Sequence, residues 1–265
     1  MIEIDITILL SLAAVAFLAG FFDAIAGGGG LITLPALFMA GIDPVAAIAT
    51  NKFQAASATL SATVAFARKG LIEWRRGAPM AVMSFLGGAL GALSISYLPK
   101  MALEFIVPIL LIIVATYFAL APKLDDVQRK ARVSILVFTV IIAPLIGFYD
   151  GVFGPGVGSF FMVAFVMLMG QGILRAMSNS KFLNASCNLG ALTVFAWKGA
   201  IILPIALTMA AAAFVGAQLG ARCAVRFGAH LIRPMLITVC FIMAVKLVMA
   251  DENPLGALIL STLRF

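Results

Sequence analysis

Charge is what this chain has least of. Asp, Glu, Lys and Arg make up 11% of its 265 residues, while 63% are hydrophobic and the mean hydropathy is +1.16. A soluble domain carries about 25% charged and about 45–50% apolar residues, so a water-soluble globule is excluded. The longest polar stretch, Lys123 to Arg132, leaves no room for a soluble domain. Histidine occurs once, at His230, and Cys187, Cys223 and Cys240 stand at apolar positions without CxxC spacing. A metal centre or haem thus has no ligand set, no cofactor is expected, and the cysteines read as packing residues. No GxxxxGK[ST] run is present, so ATP hydrolysis by this chain is unsupported. A membrane enzyme is also disfavoured, because the serines lack an obvious base.

What fills the chain instead is apolar sequence in stretches of roughly 20 residues, enough to cross a bilayer core of about 30 Å. The net charge of +7 does not point to nucleic acid, since most Lys and Arg sit in short loops, where they set membrane orientation. The N-terminus, Met-Ile-Glu-Ile-Asp, lacks the basic region of a cleaved signal peptide, so the first apolar segment is expected to stay as a helix.

The sequence is duplicated. Gly-Phe-Phe-Asp-Ala-Ile-Ala-Gly-Gly-Gly-Gly at 20–30 returns as Gly-Phe-Tyr-Asp-Gly-Val-Phe-Gly-Pro-Gly-Val at 147–157. After a two-residue offset, Thr50-Asn51-Lys52-Phe53 aligns with Asn179-Ser180-Lys181-Phe182, and Phe85-Leu86-Gly87 with Phe214-Val215-Gly216. The expected fold is an all-α polytopic membrane protein of two inverted repeats, 1–125 and 126–265, within one membrane domain. Each repeat has four long helices: 4–26, 44–67, 78–98 and 101–121 in the first, 133–153, 172–196, 200–225 and 228–250 in the second. Each also has a short broken or re-entrant helix after the glycine run, at 31–41 and 158–170.

Inversion is preferred on charge. If the short pieces carry the chain across, twelve loop Lys and Arg share one side, leaving only Lys100, Lys198 and Arg264 opposite. If they do not, the halves are parallel and the division is ten to five. The positive-inside rule favours the first arrangement, with both termini outside the cytoplasm.

Backbone that leaves a helix at membrane depth must be buried in protein or line a wet cavity. Duplicated broken helices are a sequence pointer to a transporter's substrate site. Ionisable residues within the bilayer cost about 2.5–3.5 kcal/mol each on insertion scales and are usually functional or paired. Asp23, Asp150, Lys52 and Lys181 form two repeat-equivalent sets, whereas Lys246 has no partner and is expected to snorkel.

Three readings of the lysines stay open. They can hold an anion as point charges, with Thr50, Asn51, Asn179, Ser180 and Gln54 as polar neighbours and Gly28, Gly29, Gly30 and Gly156 offering N–H groups at half-helix N-termini. They can form internal ion pairs with Asp23 and Asp150 that hold the broken helices together, or they can snorkel. Asp23 and Asp150 read either as proton carriers or as caps on the glycine loops; burial and a neighbouring ammonium act on a carboxylate in opposite senses. Asn184 and Asn188 extend the polar face beyond Lys181. Gly87, Gly88, Gly91, Gly216 and Gly220 read as small-residue helix packing.

The repeated glycine run, the Thr-Asn-Lys segment and the Lys-Gly loop at 69–70 resemble the TauE/SafE sulfite exporter family, also called the toluene sulfonate uptake permease family. The likeness covers both halves and is most specific at 20–35 and 47–53; Pro155 and Val157 depart from the glycine run. It implies a multi-pass permease of the bacterial inner membrane that exports small sulfur-containing or organic anions such as sulfite, thiosulfate or sulfonates. The expected mechanism is alternating access around a midplane site, with an anion channel filtered by the glycine loops as the alternative. The expected partners are the anion and the lipid bilayer, with homo-oligomerisation left open.

Overall fold

In a computed structural model, residues 6–95, 97 and 128–227 are described. The expected segments 101–121 and 228–250, with Lys100, Lys123, His230, Arg233, Cys240, Lys246 and Arg264, lie outside them. Eight helices occupy the described residues: α1 (Ile6–Ala26), α2 (Gly29–Met39), α3 (Pro44–Ala67) and α4 (Trp74–Ile95), then α5 (Ile135–Val152), α6 (Val157–Met167), α7 (Ile173–Trp197) and α8 (Leu203–Phe227). The described residues hold helices and no strand, and the chain is a multi-pass membrane protein.

Local chemistry explains the boundaries. Asp43 caps α3 by accepting from the Val45 N–H at 3.0 Å, and Pro44 occupies a first-turn position that needs no donor. In α5, residues Phe138–Ile142 form a π-turn just before Pro144. A proline inside a helix lacks an N–H and crowds the carbonyl four residues back, so the ladder slips at that point. α1 and α2 are separated by Gly27 (φ 72°) and Gly28 (φ 154°), and α5 and α6 by a loop with Gly154 (φ 101°) and Gly156 (φ 83°). Such positive φ values are at home only in glycine.

α1, α4, α5 and α8 are long and apolar enough to cross a membrane. Their large aliphatic side chains, among them Leu10, Leu18, Leu86, Leu90, Leu145, Leu207 and Val215, face outward. Two further long helices, α3 and α7, carry the polar residues and bury them: Thr50, Asn51, Lys52 and Gln54 on one, Asn179, Ser180, Lys181 and Asn184 on the other. α3 and α7 pack on each other. Burying the polar helices behind apolar ones satisfies both lipid and the buried backbone.

Packing is related between the halves. α1 packs on α8 and α5 on α4, so the first helix of each half lies on the fourth element of the other; α3 packs on α8 and α7 on α4. Glycines make these crossings close. A Cβ on Gly216 or Gly220 would run into the backbone of Phe17 or Phe21, and one on Gly87 or Gly91 into that of Pro144 or Phe148. The structure thus puts these glycines at helix contacts, as the small-residue reading expects. Serine hydroxyls reinforce the crossings: Ser61 donates to the Phe214 carbonyl at 2.8 Å, and Ser84 to that of Leu183 at 3.0 Å.

Four contacts locate the chain ends of these elements. The Arg129 and Arg132 N–H groups donate to the carbonyls of Gly170 and Leu168, at 2.8 and 2.7 Å, so the end of α6 lies beside the start of α5. Arg175 reaches Glu73 at 3.3 Å. Lys198 lies over the Tyr97 ring, 5.8 Å from its centroid.

Candidate functional site

The two glycine breaks are buried and touch. Gly27 lies against the backbone of Gly158 and Ser159, and Gly30 against Pro155. The Ser159 hydroxyl bridges them by donating to the carbonyls of Ala26 and Gly27, the latter at 2.6 Å. Irregular backbone from both halves is thereby enclosed by protein.

The four intramembrane charges meet there as two ion pairs, each crossing between the halves. Lys52 Nζ of α3 lies 2.6 Å from Asp150 Oδ1 of α5, and Lys181 Nζ of α7 lies 2.8 Å from Asp23 Oδ2 of α1. Both lysine side chains are 1% exposed. A charge removed from both water and lipid needs a partner at this distance. Glycine makes room: a Cβ on Gly154 would fall on Lys52 Nζ, and one on Gly158 on Lys181 Nζ.

The two carboxylates are not equally satisfied. Asp23 Oδ1 accepts the N–H groups of Gly28 and Gly29 at 2.9 and 3.0 Å, while Oδ2 takes Lys181. Asp23 therefore caps the N-terminus of α2 and occupies two of the four donors expected to face an anion, those of Gly28 and Gly29. Asp150 accepts Lys52 on Oδ1, and its buried Oδ2 has no hydrogen-bond partner.

A small cavity of about 20 Å³ lies between the breaks, lined among others by Asp23, Asn51, Lys52, Asp150, Asn184 and Asn188. That is room for about one water. Of the residues expected at a substrate site, Lys52, Asn51, Gly28, Gly29, Gly30 and Gly156 line it, as does Gln54. Lys181, Thr50, Asn179 and Ser180 do not. Thr50 Oγ1 accepts the Ile202 N–H at 3.1 Å and Asn179 Oδ1 the Glu73 N–H at 3.1 Å, so this repeat-equivalent pair braces the opposite half. Ser180 donates to its own helix at Met177.

Sequence reasoning missed Thr33, whose hydroxyl donates to Asn51 Oδ1 at 2.5 Å, and Ser159. Their repeat equivalents are Phe160 and Ile32, so duplication carried no signal for either. Among the described residues, no cluster of His, Cys, Asp and Glu suits a metal ion.

Buried, paired charges around broken helices in a lipid-facing bundle define a membrane transport protein. Residues 12–247 match the family described as "Sulfite exporter TauE/SafE", and the chain belongs to that family. It is 47% identical over 248 residues to the "Probable membrane transporter protein ORF9" of Sinorhizobium sp, covering 94% of this chain and 95% of that protein. It is 43% identical to the "Probable membrane transporter protein YfcA" of Escherichia coli K12, over 88% of this chain and 87% of that one. A "Probable membrane transporter protein" of Haemophilus influenzae is 41% identical over 93% and 96%. No solved structure matches the chain.

Proposed function

We propose that this protein is a secondary transporter that exports small oxyanions, sulfite, thiosulfate and sulfonates among them, through a site at Lys52 between the glycine breaks. The observation that carries the reading is a buried ammonium in a glycine- and amide-lined cavity where two broken helices meet. Lys52 supplies charge, Asn51 and Gln54 supply directional polar groups, and Gly30 and Gly156 allow close approach of backbone. A cavity of about 20 Å³ is too small for a four-atom oxyanion, so this is a closed form and loading requires the breaks to part. Lys181, held by Asp23 outside the cavity lining, is assigned to bracing; the anion site is then asymmetric.

The alternating-access mechanism rests on inverted repeats. The charge division supports inversion, and so do Arg175 beside Glu73 and Tyr97 beside Lys198, because parallel halves would put each of these pairs on opposite sides. α6 spans about 16 Å at 1.5 Å per residue, roughly half the hydrocarbon thickness. Its far end lies by the start of α5, which supports a break near mid-depth. An anion leaving a cell that is negative inside gains about 2.3 kcal/mol per charge per 100 mV.

The test is counterflow in proteoliposomes against sulfite, thiosulfate, sulfoacetate and simple carboxylates. Saturable counterflow of at least one oxyanion is expected; flux without saturation or counterflow would mean a channel. Lys52→Gln should lower kcat/KM roughly tenfold or more, the worth of a charge-assisted hydrogen bond, while protein abundance falls less. Full transport by that variant would remove Lys52 from the site.

A further inference from the structure

We infer that Asp150 alone is the proton carrier of this transporter, taking a proton on Oδ2 and thereby releasing Lys52 to an anion, and that Pro155 is what makes the two repeats differ in this respect. The inference rests on the transport reading of the same cavity.

The argument starts from the repeat. Aligning the two glycine runs puts Asp150 on Asp23 and Pro155 on Gly28. Gly28 gives its N–H to Asp23 Oδ1. Proline has no N–H to give, and Gly156, which stands where Gly29 does, is not among the donors to Asp150 either, so Asp150 Oδ2 is left without a partner, at 2% residue exposure. A buried acceptor with no donor is unfavourable, and a proton converts that oxygen into a hydroxyl donor. A receiving group is at hand, because Asn188 Oδ1 is the other unpartnered buried acceptor among the described residues and lines the same cavity. Asp23, by contrast, has three donors on its two oxygens, so neither oxygen is left without a partner and its charged form is the one held in place.

The surroundings of Asp150 single it out further. Lys52 faces it from α3, and the Asp23–Lys181 pair closes the site from α1 and α7. Cys187 faces it from α7 as a weak thiol donor, with the Asn184 carbonyl, at 3.3 Å from its sulfur, competing for the same hydrogen. Tyr149 is its neighbour on α5 and donates its hydroxyl to the Pro155 carbonyl at 2.9 Å. α4 brings the backbone of Gly88, Gly91 and Ala92 against the adjoining Gly151.

Coupling follows from charge balance. With Asp150 ionised, Lys52 is neutralised and holds no anion. When a proton arrives from water on the open side, the carboxyl becomes neutral and the ammonium needs a new counter-ion, which the substrate supplies. One proton and one negative charge then move together, leaving a monovalent anion's flux insensitive to membrane potential. Net direction is set by the sum of the anion and proton gradients, so the anion is expelled only where its outward gradient exceeds the inward proton gradient, and the membrane potential assists efflux only through the second charge of a divalent anion.

The first measurement needs no substrate. Infrared difference spectra of the purified protein, taken from alkaline to acidic pH, should show, apart from the exposed carboxyls common to all variants, a protonated-carboxyl band that is absent in Asp150→Asn and present in Asp23→Asn. Pro155→Gly, which restores an N–H at that position, should remove the band over the same pH range. A band lost in Asp23→Asn and kept in Asp150→Asn, or no titrating band in wild type, overturns the inference. If Asp23→Asn does not fold, persistence of the band in Asp150→Asn still overturns it. The second measurement is counterflow of thiosulfate, whose charge does not change over this range. Asp150→Asn should keep exchange but lose at least tenfold of the pH dependence. If Lys52 proves essential while Asp150→Asn keeps the full pH dependence, the coupling fails and the anion site stands. If the Asp150 band titrates but no oxyanion moves, the transport reading fails instead.

Discussion

At the scale of single residues, the two ion pairs look alike in distance and differ in what surrounds them. Lys181–Asp23 sits on a carboxylate that also caps α2, so this pair ties helix start, glycine break and the second half together. Removing one partner of a buried pair leaves an uncompensated charge and costs about 3–5 kcal/mol, whereas removing both costs far less. Lys181→Met should therefore lower thermal stability in detergent by an amount of that order, and Lys181→Met with Asp23→Asn should recover most of it. A double variant no more stable than the single one would show that the two side chains are not coupled. Duplication made these four residues legible in the sequence, and ion pairing with the aspartates was among the readings it allowed. It did not say that each pair crosses between repeats, because equivalence along the chain carries no information about contact. Nor did it reveal that Thr50 and Asn179 are spent on backbone of the opposite half; a polar side chain beside a buried lysine looks the same in sequence whether it faces a cavity or a neighbouring loop.

At the scale of helices, the segments that fall on the described residues were readable to within a few residues, since about 20 apolar residues set the length of a crossing. α3 falls on the expected 44–67, and α4 begins earlier than expected, at Trp74. That first turn carries Arg75 and Arg76, both exposed, and its Trp74 packs edge-on against Phe182 at 5.0 Å between ring centroids. Charged residues hid this turn from a hydropathy reading, while an aromatic contact from the other half holds it. Helix association in lipid has no hydrophobic drive of its own and depends on close packing. Gly91→Ala would put a methyl group onto the Phe148 carbonyl, where backbone on both sides cannot yield. A loss of about 1–3 kcal/mol is expected for such overpacking, read as a lower melting temperature in detergent. The adjacent Leu90→Ala, at an outward position, should cost under about 0.5 kcal/mol. Equal effects at the two positions would mean that α4 and α5 do not depend on that close approach.

At the scale of the whole molecule, the decisive question is how the two halves are oriented. A fold in which α1 lies on α8 and α5 on α4 exchanges equivalent surfaces between repeats. Inversion would let one rocking motion open the glycine breaks to each side in turn, whereas parallel halves would give both breaks the same exit. Exposed positions at three helix ends separate the two arrangements. In a background with the native cysteines replaced by alanine, Lys69→Cys, Lys198→Cys and Arg226→Cys each present a thiol to water. With inverted halves, positions 69 and 226 lie on one side and 198 on the other. Parallel halves instead put 69 and 198 together, with 226 opposite. The positive-inside rule gives the side carrying 69 to the cytoplasm, so a membrane-impermeant maleimide added outside intact cells should label 198 and leave 69 and 226 unmodified until the cells are opened. Labelling of 226 from outside, with 69 and 198 protected, would establish parallel repeats. It would also end the alternating-access account built on inversion, while leaving the Lys52–Asp150 chemistry to be tested independently.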